Sequence, residues 1–298
     1  MERIDDVMLL DELRKRFEES KIAVTNLRVM TQNLEAVNEK LRQSEGLKSN
    51  FLSNIRNEIN NPLTSILGLS RQIVDKKVDA ETARSLAQVI YSEAFDLDFQ
   101  LRNIFSAAEL EAGETTLSVA HVDVCALLRS QIAAFEHKAS EKKVAVEFIC
   151  EHCEGAGVLG FKTDPDKLQK IVANLLANAI EFNVEGKRVR IRLWTDGSLL
   201  NVSIADEGIG IPEADRKKVF DRFVQLDSGV SKRHKGHGLG LSITKALTEM
   251  LDGSVTLAAA PGGGCLFTVS LREQETGQPV DVTSGNGNEF IFEGGTQF

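Results

Sequence analysis

The sequence predicts a chain in two parts, an all-helical amino-terminal part and a mixed α/β domain from about residue 116 onward. Three observations carry this. Leu10, Phe17, Val24, Thr31 and Asn38 recur every seven residues, and Leu13, Ser20, Leu27, Leu34 and Leu41 do the same three places later. From there to about residue 112, apolar residues recur at threes and fours, the spacing of a helical stripe. After residue 144 the period changes to two, with Val189, Ile191 and Leu193 facing Leu200, Val202 and Ile204 across a Thr195-Asp196-Gly197-Ser198 turn.

Residues 1–44 are polar and lack Pro and Gly. The two seven-residue series read as positions a and d of a coiled coil; Leu at d, with the polar Asn38 at a, favours a parallel two-stranded form. A single amphipathic helix packed on its own domain is the alternative. Residues 45–113 read as a helical hairpin. Its first helix carries Leu52, Ile55, Ile59, Leu63, Ile66 and Ile73 and runs to about Val74, with a bend expected at Pro62, which lacks the N–H that the Glu58 carbonyl would accept. Asp79 is the expected N-cap of the second helix, Leu86, Ile90, Leu97, Leu101 and Ile104 form its stripe, and Gly113 stops it. One hairpin buries little apolar surface, so two copies forming a four-helix bundle are expected.

Within residues 116–273 a helix is predicted from Val124 to about Lys142, then a strand over Val144, Val146 and Phe148, and a helix from Asp166 to Phe182. The central hairpin follows. A last hairpin runs from Ser254 through Pro261-Gly262-Gly263-Gly264 to Leu271. Residues 274–298 are Gly-rich, lack Lys and Arg, and read as a flexible tail.

The formal net charge of −9 and pI near 5.2 argue against nucleic acid or an anionic membrane surface as the main partner. No run approaches the ~18 apolar residues of a spanning helix, and no signal peptide opens the chain. A cytoplasmic protein is the expectation. Cys150 and Cys153 have metal-ligand spacing without a second such pair; with Cys125 and Cys265 they are expected to be reduced, partly buried thiols, a metal or redox role being the alternative.

The stretch Phe51-Leu52-Ser53-Asn54-Ile55-Arg56-Asn57-Glu58-Ile59-Asn60-Asn61-Pro62-Leu63 resembles the phosphoacceptor box of histidine kinases at Phe51, Leu52, Asn54, Glu58, Pro62 and Leu63. Where that family carries the histidine that takes the phosphoryl group, this chain has Asn57, with Arg56 in place of the usual Ser. A neutral imidazole has a lone pair that can attack a phosphate; an amide nitrogen, its lone pair delocalised into the carbonyl, does not. No histidine precedes His121. Glu58 and Asn61 reproduce the family's E-x-x-[NT] motif, associated with dephosphorylation of a response regulator. Their other reading is as solvated helix positions beside Pro62.

Four further motifs follow in order: Asn174-Leu175-Leu176-Ala177-Asn178 mid-helix, Asp206-Glu207-Gly208-Ile209-Gly210 after a strand, Phe220-Asp221-Arg222-Phe223, and Gly236-His237-Gly238-Leu239-Gly240 leading into a helix. Their order and spacing resemble the N, G1, F and G2 boxes of the Bergerat ATP-binding fold, and the helical hairpin upstream selects its histidine kinase branch. The resemblance covers about residues 45–273 and implies an α/β sandwich that binds ATP with Mg²⁺. It implies that Asn174 coordinates Mg²⁺ and that Asn178 lines the nucleotide. Asp206 would accept the adenine amino proton, and Gly208 and Gly210 would let the wall close on the base. The loop Gly236, Gly238, Leu239 and Gly240 would hold the phosphates through backbone N–H groups. Lys232, Arg233 and Lys235 would neutralise phosphate charge, or else form a solvated basic loop. One departure stands out: Glu181 occupies a position where the family often has a basic residue, and a carboxylate there repels a triphosphate.

The reading as a whole is a dimeric, histidine-kinase-like signalling protein that keeps its ATP site and lacks its phosphoacceptor. It would act as a regulator or phosphatase of a response regulator receiver domain, or pair with an intact histidine kinase. The alternatives are a working kinase with another acceptor, an engineered His-to-Asn change, and a non-enzymatic ATP-sensing scaffold.

Overall fold

The computed structural model describes residues 6–75, 78–151, 159–225 and 238–274; of the side chains between 39 and 58, only that of Arg42 is described. The chain divides into two units, Met1–Ser53 and Asn54–Phe298. Helix α1, Asp6–Asp75, begins in the first and continues through Pro62 without interruption. Its heptad residues Leu13, Phe17, Val24, Leu27 and Leu34 are 57–68% exposed.

In the second unit α2 spans Ala80–Ala112. Asp79 caps it, its carboxylate accepting from the N–H and hydroxyl of Thr82 at 2.8 Å each, and Gly113 ends it in the left-handed conformation (φ 66°) that a residue without Cβ adopts freely. The α/β domain follows as β1 (Ala120–Asp123), α3 (Val124–Glu141), β2 (Ala145–Cys150), β3 (Gly160–Thr163), α4 (Pro165–Glu181), β4 (Arg188–Asp196), β5 (Leu199–Asp206), α5 (Gly240–Met250), β6 (Ser254–Ala259) and β7 (Cys265–Arg272). A five-stranded sheet in the order β2-β4-β5-β7-β6 is parallel only between β2 and β4. β1 and β3 form a separate antiparallel pair that the sequence did not signal.

Alternation in the sequence sets the layers. Val189, Ile191, Leu193, Leu200, Val202, Ile204, Phe267, Val269 and Leu271 are at most 3% exposed, as are Leu128 and Phe135 of α3, Leu168, Ile171, Leu175 and Leu176 of α4, and Ile243 and Leu247 of α5. These side chains form one core between the sheet and three helices. Asp164 fixes the entry to α4: it is 1% exposed, and its two oxygens accept from the N–H groups of Lys167 (3.0 Å) and Ser118 (2.7 Å). That carboxylate therefore ties the segment leaving α2 to the start of α4.

The cysteines need one correction. Cys125 and Cys265 are buried thiols outside any disulfide, but Cys150, at the end of edge strand β2 and half-buried, is disulfide-bonded, with the Cys125 sulfur 3.2 Å from its own. Cys153 lies outside the described residues. Among the described residues no group of three or more His, Cys, Asp and Glu could hold a metal ion, and no helix is long and apolar enough to cross a membrane.

Candidate functional site

The carboxyl end of β5, the middle of α4 and the start of α5 converge on a cleft of about 270 Å³. Each contributes one kind of group. β5 ends at Asp206, which is 4% exposed; its Oδ1 accepts from the N–H of Gly208 (2.9 Å) and of Cys265 (3.1 Å). Burial raises its pKa above 3.8, and the two N–H donors pull the other way. The carboxylate is thus held in one orientation as an acceptor at the floor of a desolvated pocket. The same burial, with the charge of Asp206 second, pushes the Cys265 thiol up to about 11, so it stays protonated at neutral pH.

The close packing around Asp206 requires glycine at two neighbours. A Cβ at Gly208 would lie 2.1 Å from the Phe182 carbonyl oxygen, and one at Gly264 would lie 2.2 Å from the Asp206 carbonyl oxygen. Gly208 therefore works behind the wall and does not line the cleft, whereas Gly210 (φ 70°) does line it.

On α4, Asn174 and Asn178 sit one turn apart and both face the cleft. Asn174 is 2% exposed, and among the described residues neither its Oδ1 nor its Nδ2 has a hydrogen-bond partner. A buried amide left unpaired costs on the order of 1–3 kcal/mol, which makes this side chain the strongest local sign of a missing ligand. Gly240, the first residue of α5, faces it: a Cβ there would meet Asn174 at 3.7 Å. Leu239, the N-cap of α5, makes no side-chain cap, so among the described residues the first N–H groups of the helix and the positive end of its dipole border the same space. Gly238 (φ 67°) and Leu239 complete this edge; a Cβ on Gly238 would come 2.8 Å from the Val224 carbonyl oxygen.

Glu181 has a basic neighbour. Glu181 lines the cleft, and Lys142, the C-cap of α3, reaches its carboxylate at 3.2 Å and donates to its backbone carbonyl. One lysine thereby offsets the charge and caps the end of α4. Sequence reasoning also missed the wall opposite α4. Asp96, Phe99, Gln100 and Asn103 of α2 and Lys138 of α3 line the cleft with the expected residues, and the Gln100 Oε1 is buried without a hydrogen-bond partner.

Several of the expected residues do not appear among the described residues of the cleft. Lys232, Arg233, Lys235 and Gly236 lie outside the described residues. The side chains of Asn57 and Glu58 are likewise outside them, although their backbone is helical, and Asn61 is exposed on α1 without lining the cleft. Arg222 of the third motif is half-buried; desolvation lowers its pKa to about 10, against the opposing charge of Glu111 near the end of α2.

Chemically, the cleft offers a buried acceptor at its floor, an apolar rim that includes Ile209, Ile211 and Phe267, an orphaned amide, and helix-start N–H donors. Comparison with known proteins agrees with that inventory. Residues 163–275 match the family described as histidine kinase-, DNA gyrase B- and HSP90-like ATPase, and residues 47–113 match the His Kinase A (phospho-acceptor) domain. Together these cover more than half of the chain. Among similar curated proteins, the sensor histidine kinase TmoS of Ectopseudomonas mendocina is 31% identical over 89% of this chain and 27% of its own length. The circadian input-output histidine kinase CikA of Synechococcus elongatus is 29% identical over 78% of this chain and 31% of its own. The chain thus spans roughly a third or less of the length of these curated relatives. The crystal structure of full-length ShkA in complex with AMPPNP superposes with a TM-score of 0.53 at 26% identity, covering 77% of this chain and 46% of that one. With two long helices matching the His Kinase A domain upstream and the ATPase-type α/β domain downstream, the chain belongs to the sensor histidine kinase family.

Proposed function

We propose that this protein binds ATP in the cleft, cannot phosphorylate itself at the usual helix position, and acts on a phosphorylated response regulator or a partner kinase. The unpartnered, buried amide of Asn174 beside the uncapped start of α5 is the observation that carries the ATP reading. Asp206 accepts the adenine amino group, as only an acceptor fixed in that orientation can, and Ile209, Ile211 and Phe267 flank the base. Asn178 and Gly210 line the pocket. The N–H groups of Gly238, Leu239 and Gly240 hold phosphate oxygens, and Gly236, Lys232, Arg233 and Lys235 complete that end. Asn174 Oδ1 suits Mg²⁺, a hard cation that takes oxygen ligands and would neutralise phosphate charge there. Because the nucleotide is ATP, the domain works in the cytoplasm.

The acceptor position is Asn57, whose amide nitrogen is not a nucleophile. Hydrolysis of an aspartyl phosphate needs no such nucleophile. A water held in line attacks phosphorus, the bond to the regulator's carboxylate breaks, and inorganic phosphate leaves. Asn61, exposed on α1, orients that water, and Glu58, one turn before it, polarises the water or engages a lysine of the receiver domain. The exposed heptad positions of α1 and the exposed Leu63, Leu67 and Phe105 of the two long helices favour a parallel homodimer through residues 1–113, with a coiled coil leading into a four-helix bundle.

Calorimetry with Mg-ATP tests the site: binding in the micromolar to millimolar range is expected, and no heat at millimolar ATP rejects it. Phosphate release from a phosphorylated receiver domain tests the activity. Acceleration that Asn61→Ala removes, with receiver binding intact, is the expected outcome; a bound receiver that decays at its unassisted rate leaves a scaffold.

A further inference from the structure

The wall that α2 contributes to the cleft packs on α3 through aromatic and polar side chains, and α2 also meets α5. Phe95 and Phe99 pack edge-on against Phe135 at 5.2 and 5.7 Å, and Tyr91 and Phe95 flank His137 at 5.1 and 4.6 Å. Ser92 meets Glu141 at 3.3 Å. At the edge of the cleft the Lys138 ammonium pairs with the Asp96 carboxylate and lies 5.9 Å from the centre of the Phe95 ring. Both side chains are only 22–23% exposed, so the pair is largely screened from water, and both line the cleft with Asn174, Asn178 and Glu181.

The two lysines one turn apart on this side of α3 have different duties. Lys142 is committed to Glu181, the carboxylate at the position where related proteins often place a cation, and to the end of α4. Lys138 is paired with a carboxylate from a different helix, Asp96 of α2, which lines the same cleft. A triphosphate entering the cleft carries more negative charge than Asp96 and competes for the same ammonium.

We propose that Lys138 is the phosphate-binding cation of this cleft, held in reserve by Asp96, so that nucleotide and helix α2 compete for it. This rests on the ATP reading above. Competition of this kind is reciprocal. ATP loosens the grip of α2 on the α/β domain, and firm docking of α2 weakens ATP binding by the same factor. A signal that shifts α2 would then change nucleotide affinity through the Lys138 ammonium that helix and ligand share.

The test is a two-residue cycle in the full chain, with the dissociation constant for Mg-ATP as the readout. Asp96→Asn frees Lys138 and tightens binding by about fivefold, the low end of typical coupling. A misfolded variant cannot produce such a gain. Lys138→Met weakens binding by about the same factor or more, and Lys138→Arg retains most of it. In the Lys138→Met background, Asp96→Asn loses its effect, because the cation it would release is absent. A gain that persists there reflects simple removal of a repulsive charge and overturns the proposal. Unchanged affinity in both single variants overturns it as well, while leaving the site reading intact. A wild-type protein that binds no ATP instead rejects the site reading itself.

Discussion

Nine strand residues facing the helices of the α/β domain are at most 3% exposed, whereas five heptad residues of α1 are 57–68% exposed. The domain carries its own core. The long helix presents these heptad side chains to solvent, and the proposed parallel homodimer would cover them. The two regions differ in chemistry in the same direction. The cleft has its acceptor, its orphaned amide and its helix start in one place, while the Phe51–Leu63 stretch keeps the outline of a phosphoacceptor box around an asparagine. A scaffold with its own core can keep a ligand site whatever residue stands at position 57, because the described residues that line the cleft come from elsewhere in the chain.

The largest effect that separates the regions is on stability. Leu175→Ala opens a cavity at a fully buried site and should cost about 2–5 kcal/mol, independent of protein concentration. Leu27→Ala, at an exposed position of the single chain, should leave the α/β domain's melting unchanged and lower dimer stability by roughly 2 kcal/mol, seen as concentration-dependent dissociation in light scattering. Equal, concentration-independent losses would erase the contrast.

Next in size is Asp206→Asn, which removes a charged acceptor and should raise the ATP dissociation constant about 10- to 100-fold, from the ~1.5–3 kcal/mol of such a bond. Stability should move the other way. Asp206 has a folded pKa above 3.8, so the folded state binds its proton more tightly than the unfolded chain does; its contribution falls as pH rises from 3.8 through the raised folded value. Above that range the variant should melt no lower than the parent, and it should lack this part of the pH dependence. A variant that both melts lower and loses binding would show the carboxylate to be structural. The smallest effect is expected from Arg71→Ala. It breaks an exposed pair with Asp75 at 2.9 Å on α1 and should shift stability by no more than about 0.5 kcal/mol.

Much of this fold was legible because its signals are local. The alternation across Thr195–Ser198 gave β4 and β5 their register and inner faces, and Asp79 and Gly113 bounded α2 through backbone groups within a few residues of themselves. What escaped depends on distant partners. β1 and β3 are four residues each and pair across about forty residues of chain. Lys142 and Glu181 are 39 apart in sequence, so the offset of that carboxylate had no local mark. Gly264 and Cys265 read as hairpin turn and strand start; only the fold brings them onto Asp206. The α2 wall of the cleft was hidden for the same reason, since Asp96, Phe99, Gln100 and Asn103 fit an amphipathic helix without any sign of a ligand.

The central claim joins an intact nucleotide cleft to a missing nucleophile, and incubation of the full chain with γ-labelled ATP and Mg²⁺ addresses both at once. ATP should be bound, as equilibrium measurements report in parallel, and no acid-labile phosphohistidine should appear on residues 45–113. Asn57→His provides the positive control, which would take label if the cleft can deliver a phosphoryl group. Acid-labile label on the helices of the unaltered protein, or the absence of any ATP binding, would contradict the account.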